Sequence, residues 1–578
     1  MKNMDKKKYT IRAGLVCAAF IVWLVVIGAR AGYLQLYRGA WLSTKAAGQY
    51  EQELTLLGKR GTIYDARNQA MAVSIETTSL AAYPGKLVDK ARAAADLAKV
   101  LHLSRKDLLK KFSTDRSFVW IKRQATPKET AAVRKLNIKG VDFLPEHSRF
   151  YPNTALAAQV LGFTGIDGHG LEGIEFYYDN QLKGDPNTVT VLMDARGRGF
   201  EAERWSNLQQ AGNNLVLTLD SHIQFMAEQA LGDAVSRHKA RSGMAIVMAP
   251  QTGAILAMAH YPLFNPNNFR KYDRSAWRNR AITDPFEPGS TLKIFSAASA
   301  LESGSSGPNT IFYCENGSYL IGRHTISDTK PYAWLSLQQI IKYSSNIGAV
   351  KVVEKLGPAA FYGHLFAFGF GQRTDIDAPG ESAGSLSNYR RWTAVDTGAI
   401  SFGQGISVTA LQLITAAAAL ANDGVLMKPY LLQAVTDPNG RPVRTTEPTV
   451  VRQVVSAQTA RTMRRIMRSV VTEGGTGVQA DLEGYAVCGK TGTAQKIDLN
   501  GTYAKDRFVS SFLGFAPSEH PALAVLVVVD EPRDVTYGGL VAAPVFKQIV
   551  KEALGYLNIA PSDSLKKLRV ANEGRGSG

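Results

Sequence analysis

Hydrophobic and polar positions follow one another in several distinct rhythms along this chain, and each rhythm predicts an element. Ala13 to Ala29 is an unbroken run of 17 uncharged positions, just long enough for a helix to cross a bilayer. Gly32 to Tyr37 extends it with interfacial tyrosines. From Lys59 to about Leu208 the reading is mixed, with a helix over Lys90 to Leu101, a strand at Phe118-Val119-Trp120-Ile121 and turn-rich joins. Met244 to Met248 and Ala254 to Met258 flank the turn Pro250-Gln251-Thr252-Gly253 and predict a hairpin. Alanine-rich helices follow at Thr409 to Asn422 and Gln458 to Thr472, then a strand pair at Phe508 to Phe515 and Leu523 to Asp530. Strands at both ends with helices between them predict an α/β domain built on an antiparallel sheet. No second spanning segment is expected: Ala416 to Leu420 is too short, and Ala522 to Val529 is β-branched and reads as a buried strand. Ser562 to Gly578 reads as a polar tail.

Charge sets the orientation of the first run. Lys2, Lys6, Lys7, Lys8 and Arg12 precede it against a single Asp5, so the positive-inside rule leaves the N-terminus in the cytoplasm and exports the rest. A cleaved signal peptide is the rival reading, because Ala29-Arg30-Ala31 imitates a small-x-small cleavage site. The whole chain carries a net charge of +18, yet it has neither a zinc-finger pattern nor an aromatic RNA-binding signature, so a basic surface near an anionic envelope is expected rather than a nucleic-acid partner. Cys17, Cys314 and Cys488 are too few for a disulfide scaffold, and without C-x-x-C or H-E-x-x-H no metal site or cofactor is expected.

Candidate chemistry begins with S-x-x-K, which occurs at Ser236, Ser290, Ser327 and Ser564. Only Ser290-Thr291-Leu292-Lys293 follows Pro288-Gly289 and opens an apolar helix, which puts Ser290 in a first turn with Lys293 on the same face. A serine hydroxyl needs a base, and lysine serves only if burial holds it neutral. The bland alternative is a capping serine beside a surface lysine. Two patterns change the odds: S-x-N occurs once, at Ser344-Ser345-Asn346, and K-T-G once, at Lys490-Thr491-Gly492, continued by Thr493. Their order is that of the penicillin-recognising serine enzymes. The segment from Val487 to Ala494 reads as a strand. There Gly492 would leave room for substrate, Thr493 N–H would join Ser290 N–H in an oxyanion hole, and Lys490, Thr491 and Thr493 would face a peptide carboxylate. Cys488 reads as packing, not as a second nucleophile. Gly168-His169-Gly170-Leu171-Glu172-Gly173 matches a dinucleotide fingerprint but lacks the strand before it and the apolar helix after it, so it reads as a turn.

With these motifs the sequence resembles a class B penicillin-binding protein, a monofunctional peptidoglycan D,D-transpeptidase. Arg60-Gly61-Thr62-Ile63-Tyr64-Asp65 with Asn68 resembles the first signature of that family's pedestal. Arg149-Phe150-Tyr151-Pro152, Ala157 to Phe163 and Gly173-Ile174-Glu175 resemble the second, with Gln159 where histidine is expected. The resemblance implies a penicillin-binding, serine β-lactamase-like transpeptidase domain at 213–557, preceded by a mixed α+β pedestal (the dimerisation domain) at 37–212 and a transmembrane helix at 13–36, with a cytoplasmic tail at 1–12 and a polar tail at 558–578. It implies catalysis by Ser290 as nucleophile, Lys293 as base, Ser344 as proton relay and Asn346 as holder of the acyl amide. Lys490, Thr491, Gly492 and Thr493 would bind substrate. Implied partners are peptidoglycan stem peptides, covalently bound β-lactams, the membrane, a polytopic lipid II polymerase of the septal machinery and other division proteins.

A β-lactamase shares the three motifs, but no E-x-x-L-N stretch lies between Asn346 and Lys490, and a hydrolase has no use for anchor or pedestal. A β-lactam sensor would need further membrane segments or an effector domain. A silent scaffold would have lost a motif residue, and a bifunctional enzyme would show E-D-x-x-F before residue 213. Within class B, Ser401 to Thr409 and the lack of long pedestal insertions resemble the division-specific type more than the elongation type.

Overall fold

The computed structural model describes residues 2–42, 51–56, 58–116, 118–184, 187–192, 211–498 and 501–561. The chain divides into two compact units. The smaller contains a helix, Lys2–Gly32, continued by a turn of π-helix at Tyr33–Tyr37. Within residues 7–37 an 18-residue stretch has a mean hydropathy of 2.4 and is unburied, so the helix is long and apolar enough to cross a membrane. The helix begins eleven residues ahead of the expected Ala13, because lysines and an isolated aspartate do not stop a helix. The same unit pairs Glu51–Leu56 antiparallel with Asn187–Leu192.

The larger unit holds a wholly antiparallel sheet. Its five strands run in the order Cys488–Ile497, Tyr503–Ala516, Leu523–Asp530, Ser242–Met248 and Ile255–Tyr261, all antiparallel. Side chains alternate across a strand, and here both faces are covered. Ala524, Leu526 and Val528 enter one core with Ile294, Phe295 and the helix Ala410–Ala421. Leu523, Val525, Val527 and Val529 enter the other with Phe546 and Ile549 of the C-terminal helix Ala543–Tyr556. A strand buried on both sides reads as a continuous apolar run, as Leu523 to Val529 does. The expected hairpin, strand pair and both alanine-rich helices are present, the latter as Ala410–Ala421 and Ala457–Val471, and Thr409 caps the first through a reciprocal box with Gln412.

Residues 60–183 of the same unit form the pedestal core. Its long strand Ala70–Ala82 pairs with Val119–Ala125 and Val141–Phe150, and the predicted helix Lys90–Leu101 covers it, capped by Asp89. Ile63–Tyr64 pairs in parallel with Asn214–Leu217, which pairs with Leu432–Thr436, so one seven-stranded sheet runs from pedestal into catalytic domain. The two pedestal signatures meet in a buried ionic cluster. Arg60 Nε and Arg149 Nε each donate to Glu175 at 2.6 Å, and Arg60 also reaches Asp179 at 2.6 Å. The two guanidinium groups hold the Glu175 carboxyl below its ordinary range against the opposing effect of burial. The glycine-rich stretch 168–173 is a turn that folds onto a short helix, Gly173–Tyr177. A Cβ at Gly170 would stand 1.9 Å from the Glu175 carbonyl oxygen, so backbone packing accounts for that glycine. Gln159, the departure from histidine, donates its amide to the carbonyls of Pro262 and Ala276 at 3.0 and 3.1 Å. Its two N–H groups make a bridge between the domains that a neutral imidazole, with one N–H, could not.

Candidate active site

The serine turn is built where helix and sheet meet. Gly289–Leu292 forms a turn of 3-10 helix and Lys293–Glu302 continues as α-helix. Ser290 thus lies in the tighter turn ahead of the α-helix rather than in its first α turn, and Lys293 opens the α-helix. Gly289 has φ +53°, a left-handed value that favours glycine, and its N–H donates to the Gly403 carbonyl at 3.1 Å. The loop after Ser401 braces this turn further: Ser401 O accepts from Ser296 Oγ at 2.8 Å, and Gly405 N donates to Glu287 at 2.8 Å.

The three motifs converge. Lys293 Nζ donates to the Ser344 carbonyl and to Asn346 Oδ1, both at 2.6 Å, and lies 3.3 Å from Ser344 Oγ. Lys490 Nζ donates to the same Ser344 Oγ at 2.8 Å and to the Thr491 carbonyl at 3.1 Å. Ser344 ends the helix Leu337–Tyr343 with φ +62°, a conformation costing about 1–3 kcal/mol in a non-glycine residue and concentrated at functional sites. Both lysines are fully buried. Burial lowers Lys293 to about 7, against a counteracting pull from Asp328. Burial and the neighbouring Lys293 hold Lys490 well below the ordinary lysine range. A lysine that is neutral near pH 7 can take a proton from a hydroxyl.

Lys490 to Thr493 lie on the edge strand Cys488–Ile497, where one side of the backbone is left for a ligand. A Cβ at Gly492 would meet Ser511 Oγ at 2.2 Å and Thr291 Cγ2 at 2.9 Å, so the glycine lets the serine turn press onto the strand. Thr491 Oγ1 lies 3.0 Å from Thr476 Oγ1, and Thr493 Oγ1 accepts from Gly538 N at 3.0 Å. Cys488 is buried with its sulfur 2.9 Å from Ser518 Oγ, and burial pushes its thiol up to about 12, the environment of a packing residue.

Asp328 escaped the motif reading. Its carboxylate accepts from Ser345 Oγ at 2.5 Å, from Asn346 N and from Ile347 N at 3.2 Å, so it caps the helix Asn346–Leu356 and fixes the S-x-N segment. Its neighbour Ser327 accepts from Asn346 Nδ2 at 3.0 Å through its carbonyl. The discarded match at Ser327 therefore sits against the site, on the strand His324–Ser327, while supplying no nucleophile. Ser236 lies in the last turn of the helix Ser221–Arg237, and Ser564 falls outside the described residues.

Two family descriptions match the chain: the penicillin-binding protein transpeptidase domain over residues 243–551 and the penicillin-binding protein dimerisation domain over 55–217. The chain is 35% identical to a probable peptidoglycan D,D-transpeptidase PenA of Neisseria meningitidis, over 96% of this chain and 94% of that protein. It is 32% identical to the peptidoglycan D,D-transpeptidase FtsI of Escherichia coli K12, over 98% and 96% of the two chains. The fold is similar to that of penicillin-binding protein 3 of Mycobacterium tuberculosis complexed with aztreonam, with a TM-score of 0.69, 28% identity, and coverage of 88% of this chain and 98% of that one.

Proposed function

Because this chain belongs to the class B penicillin-binding proteins and is a peptidoglycan D,D-transpeptidase, we propose that Ser290 is its acylated nucleophile and that it cross-links stem peptides at the division septum. The observation that carries the site assignment is the meeting of Lys293 and Lys490 on one hydroxyl, Ser344 Oγ, beside the turn that bears Ser290. Lys293 in its neutral form takes the Ser290 proton as Oγ bonds to the penultimate D-alanine carbonyl carbon. The oxyanion receives the N–H groups of Ser290 and Thr493. Ser344 passes a proton to the departing D-alanine amine as the C–N bond breaks. An amine on a neighbouring stem then attacks the ester and frees the serine. Asn346 already gives one N–H to Ser327 O, and its second N–H is the one that holds the acyl amide. The Lys490 amine, which an incoming carboxylate would favour in its charged form, and the hydroxyls of Thr491 and Thr493 take the terminal carboxylate, with Gly492 setting the strand against the serine turn. β-Lactams acylate the same serine, in keeping with the aztreonam complex of the mycobacterial relative.

The N-terminal helix is read as a single-pass anchor in the bacterial cytoplasmic membrane, N-terminus inside and catalytic domain outside. The pedestal, taken as residues 37–212, is read as the docking surface for a polytopic lipid II polymerase and other division proteins, since a tether raises the local concentration of nascent strands at Ser290. The septal assignment rests on Ser401 to Thr409 and on the compact pedestal. Ser290→Ala is expected to abolish covalent labelling by fluorescent penicillin with the fold retained, and persistent labelling overturns the assignment. Lateral rather than septal labelling of cells would assign the chain to elongation.

A further inference from the structure

More than half of the chain's surplus charge sits in one small lobe of the pedestal. Residues 84–140 carry 15 lysines and arginines against 5 acids, a net +10 of the whole chain's +18. The lobe consists of the helices Lys90–Leu101, Arg105–Phe112 and Pro127–Lys135 with the strand Val119–Ala125. Leu97, Leu101, Leu108 and Phe112 are buried in its own core, so the outer helix faces are left to the cations. Lys99, Lys106, Lys110, Lys128 and Lys135 are exposed and have no ion pair among the described residues.

The folding of the lobe does not account for these charges. Each of its three helices has a cation in its first turn, at Lys90, Arg105 and Lys128, the end where the helix dipole favours anions. Lys106 and Lys110 stand one turn apart on one face, a like-charge spacing that weakens a helix. The acids, by contrast, have local tasks. Asp89 caps the first helix by accepting from Ala91 N and Arg92 N at 3.0 and 2.9 Å, and Asp96 pairs with Arg92 at 3.9 Å. Glu129 completes the capping box of the third helix and holds Lys122 at 2.6 Å. The lobe thus keeps its cations at a cost in self-repulsion that an external anion would offset.

We propose that this lobe docks on the anionic phospholipid headgroups of the membrane that holds the N-terminal helix, by charge alone and without inserting apolar side chains. The proposal rests on the reading of that helix as an anchor. Two features favour a lipid surface over a protein partner. A protein interface centres on apolar and aromatic side chains and is poor in lysine, whereas Val88, 91% exposed, is the one large apolar side chain standing out in solvent among the described residues of the lobe. Separate lysines spread over three helices act as point charges, which suit a plane of phosphates. The anchor also precedes the lobe in the same chain, and a tether keeps it at a high local concentration of bilayer.

The test places the full chain in vesicles of phosphatidylcholine, alone or with phosphatidylglycerol added, and an acceptor dye on the lipid headgroups. A donor dye is carried by Val88→Cys in a Cys17→Ala background, the remaining Cys314 and Cys488 being buried. Energy transfer reads the ratio of docked to undocked lobe. Each lysine or arginine near an anionic surface raises that ratio about fivefold. Transfer should therefore rise with phosphatidylglycerol and fall back to the neutral-vesicle value in about 1 M salt, where the Debye length is about 3 Å. Combining Lys106→Gln, Lys110→Gln and Lys135→Gln should cut the ratio by about 10²-fold, while fluorescent penicillin labels the variant at the wild-type rate and so reports a retained fold. Equal transfer in neutral and anionic vesicles overturns the proposal and assigns the charge to an acidic protein or wall polymer. Transfer that salt or the triple substitution leaves unchanged overturns it too. Failure of the protein to float with neutral vesicles is a separate result and removes the anchor reading instead.

Discussion

Lys293 shows how burial, more than sequence spacing, makes the chemistry. Its folded-state value of about 7 means that the neutral base is present above that pH and lost below it. The rate constant for acylation by a plain penicillin should therefore rise with pH and level off just above 7, a profile measured by stopped-flow labelling. Lys293→Arg should reduce acylation by a factor of about 10² to 10⁴, nearly as much as Lys293→Ala, because a guanidinium stays charged and cannot accept the proton. Lys490→Arg should lose less, if that lysine acts as a charge. Asp328 is the positioning residue to test, since it raises Lys293 while fixing Ser345 and Asn346. Asp328→Asn should slow acylation and move the rising limb of the profile to lower pH, a displacement that loosened packing alone would not produce. The motif residues were legible because each has a distinctive spacing. Asp328 was not, because its value comes from contacts with Ser345 to Ile347 that only folding creates, and the Gly492 contacts with Ser511 and Thr291 were hidden for the same reason.

Among the elements, the helices were read well where a cap and an apolar period agree, as at Thr409 with Ala410–Ala421. Strands were read well where a turn signal lies between two β-branched runs. The short parallel pairing of Ile63–Tyr64 with Asn214–Leu217 was invisible, since two residues carry no periodicity. The helix Ser221–Arg237 carries Glu228, whose buried carboxylate accepts from Gln224 Nε2 at 2.7 Å and from the pedestal's Ala157 N at 2.8 Å. Burial raises Glu228 to about 7 from an ordinary 4.5. The unfolded chain releases this proton first, so the contact is fully favourable below about pH 4.5, and stability is lost as pH rises through 7, by about 3 kcal/mol. Glu228→Gln keeps an acceptor for Ala157 and removes the titration. Its melting temperature should change less than that of the wild type between pH 5 and pH 8, as read by scanning fluorimetry. The brace from Ser401 to Gly405 has a similar lesson: a stretch read as a mark of subtype also holds the catalytic turn.

For the whole molecule, hydropathy and motif order made legible an N-terminal apolar helix followed by a dimerisation domain and a transpeptidase domain. A chain starting at Lys59 should be acylated by fluorescent penicillin at a rate within about twofold of the full chain, because every residue assigned to catalysis lies after it. When exported in soluble form it should fail to replace the full chain in septal synthesis; full complementation would refute the tether. A mature wild-type protein starting near Gly32 would show that the first helix is a signal. The seven-stranded sheet has another consequence, for recombination between relatives. A crossover near residue 212 looks safe from composition alone, yet it would join a foreign Ile63–Tyr64 to native partners at Asn214–Leu217 and, one strand further, Leu432–Thr436. Segments more than 150 residues apart in sequence are thus inherited as one block, and a functional exchange of pedestals between such enzymes has to carry all three strands together.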